Sequence, residues 1–239
     1  MPTRKQILSQ LSAPELRKRL AWKCPLKGHS KHDGISHYSC YNKLNKIPTE
    51  ERIGFMDLET EDLKSDFGIL FCWKILENGT NKMYGDVLTL DDIKKGKSTK
   101  RDIQPKEDRR IVQSLVDTLE NFDRVILHYG ARFDLPFARS RALICDVEFP
   151  SYGNLYQGDT WQILKNKFKL SRNSLQNATL KLLGITRKDH LSLSVKHGCL
   201  RGEKWALDIT EKHCENDVLD LRDLYNKISF AVKINKSSI

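Results

Sequence analysis

Two apolar runs closed by a turn constrain this chain most. Phe67–Leu76 is almost wholly apolar, Asn78-Gly79 follows it, and Lys82–Leu88 reads as the returning strand. Asn-Gly between strand-like runs is a strong hairpin signal, since both residues tolerate the positive φ of a tight turn. A further β-prone run, Arg52–Leu58, comes first and ends in acids, and Arg124–Tyr129 is a short buried-type strand broken by Gly130. Helical spacing marks the rest. Pro105 sits at a helix start, with Ile111, Leu115, Leu119 and Phe122 as its stripe, and Asp134 with Pro136 opens a second helix. Thr160–Lys167 and Ser174–Leu183 follow, the latter with Gly184 as its C′ residue. A last long helix starts near Thr210 and repeats Val218, Leu221, Tyr225 and Ile228. Asp91–Arg101, lysine-rich around a Gly, reads as a polar loop. Strands alternating with helices predict one α/β unit from residue 51 onward.

At 239 residues, with 39% hydrophobic and 30% charged content, the chain suits one medium globular domain plus a small appendage. No run of eighteen apolar residues offers a membrane span, and Met1–Lys23 lacks the apolar stretch of a secretory signal. Six cysteines without such a signal predict reduced thiols or metal ligands, hence an intracellular reducing compartment, cytoplasmic or nuclear. The net charge of +10 points to an anionic partner. Its distribution is uneven: residues 1–50 hold ten Lys/Arg against three acids, a net +7. The division expected is a basic module over 1–50 and a second domain over 51–239.

Four acids recur in three places. Asp57 and Glu59, two apart in F-M-D-L-E-T at a strand end, point to one face, where together they can hold a hard cation. A strand running out into a polar turn would look the same. Asp134, in H-Y-G-A-R-F-D-L-P-F, lies beside that first strand if the two strands are parallel neighbours; an N-cap role is the alternative. His213 and Asp217, four apart in H-C-E-N-D, share a helix face. Cys214, Val218 and Leu221 would pack against the sheet. An ordinary amphipathic helix with a solvated acid is the rival reading there.

Taken together, 55–60, 128–136 and 213–218, with D-T-W-Q-I-L-K at 159–165 and S-L-Q-N-A-T-L-K-L-L-G-I at 174–185, resemble the DEDD (DnaQ-like) family of 3′–5′ exonucleases. The resemblance covers about residues 52–230. It implies an RNase H-like fold, a mixed sheet with helices on both faces. It also implies that Asp57, Glu59, Asp134 and Asp217 hold two Mg²⁺ or Mn²⁺ ions, with His213 as the general base that deprotonates the attacking water. Two departures stand out. One branch of the family has a His five residues before the last Asp, and another a Tyr four before it. Here Lys212 holds the first position and His213 the second. His128 stands where the family usually shows Asn; it contacts substrate, supports the site from behind, or merely finishes a strand.

The front module has its own cluster. Cys24–Cys40 packs two Cys and three His into seventeen residues. Sulfur and imidazole donors favour zinc, and Cys24, His29, His37 and Cys40 would close a structural tetrahedron, with His32 as alternate. A His-rich polar loop with incidental cysteines is the other reading.

The expected activity is metal-dependent 3′–5′ hydrolysis of a single-stranded or frayed nucleic-acid end, DNA favoured over RNA. Candidate strand contacts are His128, Tyr129, Phe133, Lys95 and Lys97, with Lys165, Lys167, Lys169, Arg172 and Trp161 in support; the other readings are core packing for Phe133 and Trp161 and plain solvation for the lysines. The rivals are a catalytically silent nucleic-acid-binding protein and an RNase H-like endonuclease.

Overall fold

The computed structural model describes residue 8 and residues 11–25, 33–45, 51–96, 106–151, 154–187 and 189–232. Among the described residues of the front, two short helices can be bounded, α1 (Ala13–Ala21) and α2 (Tyr38–Leu44). Then follow β1 (Ile53–Thr60), β2 (Leu70–Glu77), β3 (Met83–Val87), α3 (Leu90–Gly96), α4 (Arg109–Leu119), β4 (Arg124–Leu127) and α5 (Asp134–Ile144). β5 (Tyr156–Asp159), α6 (Thr160–Lys167), α7 (Leu175–Leu183), α8 (Leu193–Leu200) and the long α9 (Lys204–Ile228) complete the order.

The strands form one five-stranded sheet in the order β3-β2-β1-β4-β5. The expected hairpin is present: β2 and β3 pair antiparallel, and Gly79 takes the turn with φ 74°. β1 is antiparallel to β2 but parallel to β4, which is parallel to β5. This is the mixed sheet expected of an RNase H-like fold.

Alternation along the central strands divides the interior into two clusters, one on each face. Met56, Leu58, Val125 and Leu127 pack with Ile111, Leu115 and Leu119 of α4 and with Leu135 and Ala138 of α5. Phe55 and Ile126 face the other way, against Leu164 of α6, Ala178 of α7, and Val218, Leu221 and Leu224 of α9. Asp57 and Glu59 continue the Phe55 series, so the strand aims both acids at the face covered by α9.

Several boundaries differ from the sequence reading. Phe67 is not in β2; it lies exposed in a turn whose Gly68 amide donates to the Lys64 carbonyl at 2.8 Å. β1 runs on to Thr60, taking both acids into the strand, and its register with β2 shifts between Glu59 and Thr60. The polar loop expected over 91–101 is helical as far as Gly96. Thr89 and Asp92 cap that helix reciprocally: the Thr89 amide donates to Asp92 Oδ2 at 2.9 Å and the Asp92 amide to Thr89 Oγ1 at 3.2 Å. One buried side chain, Ile93, anchors α3, too little to register as a period. α9 starts at Lys204, more than one and a half turns before Thr210. Pro105 lies outside the described residues.

Candidate active site

The three acidic stretches meet where β1 passes under α9. Cys214, on the sheet-facing side of α9, donates its thiol to the Asp57 carbonyl at 3.4 Å. Burial pushes that thiol well above its usual range, so it remains a neutral donor. The contact fixes the distance between helix and strand. One residue back along α9, His213 directs Nε2 to Glu59 Oε1 at 3.4 Å, and Asp217 Oδ2 lies 3.9 Å from the same nitrogen. The donor atoms of Glu59, His213 and Asp217 lie within 4.8 Å of one another.

Asp134 joins through the backbone of β1. It is the first residue of α5, and Phe133 rather than Asp134 holds the N-cap position. Its Oδ1 accepts from the Leu58 amide, between the two strand acids, at 3.2 Å. Gly130 makes room for this carboxylate, since a Cβ there would sit 2.6 Å from Asp134 Oδ2 and 2.6 Å from Leu127 side-chain atoms. The glycine that ends the β4 run in sequence is therefore a condition for the acid's placement.

Sequence reasoning missed three supporting acids. Asp189, in the segment before α8, accepts from His213 Nδ1 and so orients the ring. Asp220, on α9 one turn beyond Asp217 and buried, accepts from the Arg187 amide at 2.8 Å and from the Thr186 hydroxyl at 3.0 Å. Arg187 also forks onto Asp220 and Asp223 at 2.7 and 2.9 Å. The same helix thus carries His213 and anchors the segment that leads to Asp189. Asp159 caps α6 and also accepts from the Tyr129 and Ala131 amides at 3.0 and 3.1 Å, holding the turn before Asp134. A strand-end Asp-Thr before a helical run is an N-cap signal that could have revealed Asp159. Nothing periodic marks Asp189.

The candidate strand contacts separate. Tyr129 is partly exposed in a left-handed conformation, φ 66°, with its ring edge-on to Trp161 at 5.0 Å. The Arg132 guanidinium lies 5.3 Å and the Lys165 ammonium 4.9 Å from the Trp161 ring. Phe133 is half-buried and packs on Phe137 at 5.7 Å. His128 has both ring nitrogens within the protein, Nδ1 with Thr160 Oγ1 at 2.9 Å and Nε2 with the Asn173 carbonyl at 2.8 Å. These bonds tie β4 to the α6–α7 region. Lys95 pairs with Asp91 at 3.6 Å on α3, and Lys97 lies outside the described residues.

At the front, Cys24, His37 and Cys40 come together, and His29 lies outside the described residues. No disulfide joins any of the six cysteines. Among the described residues, no helix is long and apolar enough to cross a membrane.

Residues 54–229 match the model of the RNase_H_2 family, of the RNase_H superfamily. No curated protein matches the sequence. Among solved structures, the family B DNA polymerase of the hyperthermophilic archaeon Pyrobaculum calidifontis is similar in fold, with TM-score 0.56 and 14% identity over 76% of this chain. The chain spans a quarter of that polymerase's length, 25%.

Proposed function

Because the chain belongs to the RNase_H_2 family of the RNase_H superfamily, we propose that it is a metal-dependent nuclease cutting from the 3′ end of a single strand. Residues 51–239 form the nuclease unit and residues 1–50 a basic module that grips the strand. The observation that carries the reading is the convergence of Glu59, His213 and Asp217 within 4.8 Å, with Asp57 and Asp134 on the adjoining backbone.

The donor set fits hard divalent ions. Four carboxylates offer oxygen ligands of the kind Mg²⁺ and Mn²⁺ prefer, and β1, α5 and α9, which carry them, are fixed by packing on both faces of β1. Asp57, Glu59, Asp134 and Asp217 would hold two such ions, whose charge favours hydroxide attack on an already anionic phosphodiester.

The chain's own groups do the rest. With Nδ1 directed to Asp189, His213 presents Nε2 to the acidic centre, where it accepts the proton of the attacking water. The ring cannot turn away without losing that partner. Tyr129 and Trp161 offer a partly exposed aromatic edge for the terminal base, and Arg132 and Lys165 supply nearby positive charge for phosphates. Cysteines outside any disulfide suit a reducing compartment.

A strand labelled at its 5′ end, incubated with Mg²⁺, Mn²⁺ or EDTA, tests the proposal. A metal-dependent ladder of stepwise shortened products is expected, and Asp57→Asn and Asp217→Asn should abolish it without lowering the melting temperature. Internal cuts from the first time point would indicate an endonuclease. Tight binding without shortening would leave a silent binding protein. Either result overturns the reading. DNA and RNA strands of one sequence, run side by side, decide the substrate, with DNA expected to be cut faster.

A further inference from the structure

We propose that Cys24, His37 and Cys40 form a structural zinc site that staples together the two helices of the N-terminal segment, separately from the acidic centre. Cys24 lies three residues beyond α1 and is 1% exposed. His37 occupies the residue before α2, and Cys40 lies in its first turn. The two sulfurs and a ring nitrogen of His37 come within 4.8 Å of one another. Tetrahedral zinc, with Zn–S near 2.3 Å and Zn–N near 2.0 Å, sets neighbouring donors about 3.5–3.8 Å apart. The donors therefore need to close by no more than about an ångström to share one ion.

The approach is built, not incidental. The Gly34 amide donates to the Arg19 carbonyl at 2.8 Å, returning the chain to the end of α1. Asp33 Oδ1 accepts from the Ile35 and Ser36 amides at 2.9 and 2.7 Å, shaping the turn that leads to His37. Gly34 is required there, because a Cβ would lie 2.5 Å from the Tyr41 ring. Trp22 meets Tyr41 edge-on at 5.3 Å, and the buried Arg19 guanidinium stacks 4.4 Å over the same ring. These contacts join α1 to α2 beside the three donors.

Why a metal is needed follows from the size of this core. Among the described residues, its buried hydrophobic side chains are Cys24, Ile35 and Tyr41, and none of them belongs to either cluster of the sheet. So few apolar groups cannot offset the ordering of some thirty residues, and small modules of this kind commonly depend on a metal. Thiolate and imidazole donors select zinc, whereas the oxygen-rich acidic centre selects Mg²⁺ or Mn²⁺. The two sites do not compete for one ion.

Elemental analysis of the purified full chain, followed by cobalt substitution, tests the site. About one zinc per chain is expected, retained through dialysis against Mg²⁺. The cobalt form should show a thiolate-to-metal charge-transfer band in the near ultraviolet and the intense visible bands of a tetrahedral ion. Cys24→Ser, Cys40→Ser and His37→Ala should lose zinc and both spectral features, while Asp57→Asn keeps them. A zinc-free wild-type chain, with Cys24 and Cys40 freely titratable or joined in a disulfide, would overturn the proposal. So would a cobalt form without the thiolate band, or zinc retained in the double serine variant. The wild-type measurements decide even if a variant misfolds, and strand cleavage reads the acidic centre independently.

Discussion

A single-residue step along α9 separates an exposed lysine from a buried histidine. Lys212 pairs with Glu215 at 3.1 Å in solvent, whereas His213 is buried among Glu59, Asp217 and Asp189. At 3.6 residues per turn, a side chain four before Asp217 lies nearly above it, and one five before points well round the helix. The four-residue spacing therefore brings histidine to the acids here. Under the proposed mechanism Asp189 is a positioning residue, acting through the ring it orients. Asp189→Asn should lower kcat about 10- to 100-fold, as removal of an outer partner commonly does, with KM little changed. Asp189→Glu should recover part of that activity. In a His213→Ala background, itself slower by about two to four orders, removing Asp189 should add nothing. An additive effect in the double variant would mean that Asp189 acts some other way.

Packing of elements shows where charge serves the fold rather than the site. Asp108 stands at the N-cap position of α4 but makes no side-chain cap there. Its carboxylate instead receives Arg141 of α5 at 2.9 and 2.5 Å, and the Leu70 amide at the start of β2 at 2.8 Å. Arg141 reaches on to the Ser65 carbonyl at 3.0 Å. One ion pair, with both side chains fully buried, thus ties two helices to the edge of β2. Removing one partner leaves an uncompensated charge in the interior. Asp108→Ala should destabilise the protein by about 3–5 kcal/mol in urea unfolding. Replacing both residues with apolar ones should cost clearly less than the sum of the single changes. Equal and additive costs would show that the two do not act as a pair.

For the molecule as a whole, the uneven charge bears on the proposed strand grip of residues 1–50. On the front helices and their flanks, Arg17, Lys18, Lys23 and Lys43 are exposed, while Arg19 is buried and paired with Glu15 at 3.0 Å. The acidic centre lies on the sheet, α5 and α9, so in the proposed reading the cations that neutralise phosphate come from elsewhere on the surface. Exchanging those four exposed residues for Gln should weaken binding of a single strand. The slope of log affinity against log salt should flatten by about 0.7 for each phosphate that is no longer neutralised. Cleavage at saturating strand should change less. An unchanged salt slope would place the strand grip elsewhere.

Much of this was legible in the sequence because it depends on local geometry. The Asn78-Gly79 hairpin, the helices over 160–167 and 175–183, and the left-handed Gly184 cap with φ 78° follow from turn chemistry and periodicity. So does the shared face of His213 and Asp217, which is a property of any helix. Boundaries failed where a few contacts outweigh pattern, as in α3, held by a Thr89–Asp92 cap and one buried isoleucine. Only tertiary structure could show that Asp134 reaches the Leu58 amide across parallel strands, or that Asp189 holds His213 from a segment twenty-four residues away. Sequence states which chemistry each residue carries and which neighbours share its face. Which distant residue completes a hydrogen bond is decided by how the sheet and helices pack, because that packing alone sets the few ångströms over which such a bond exists.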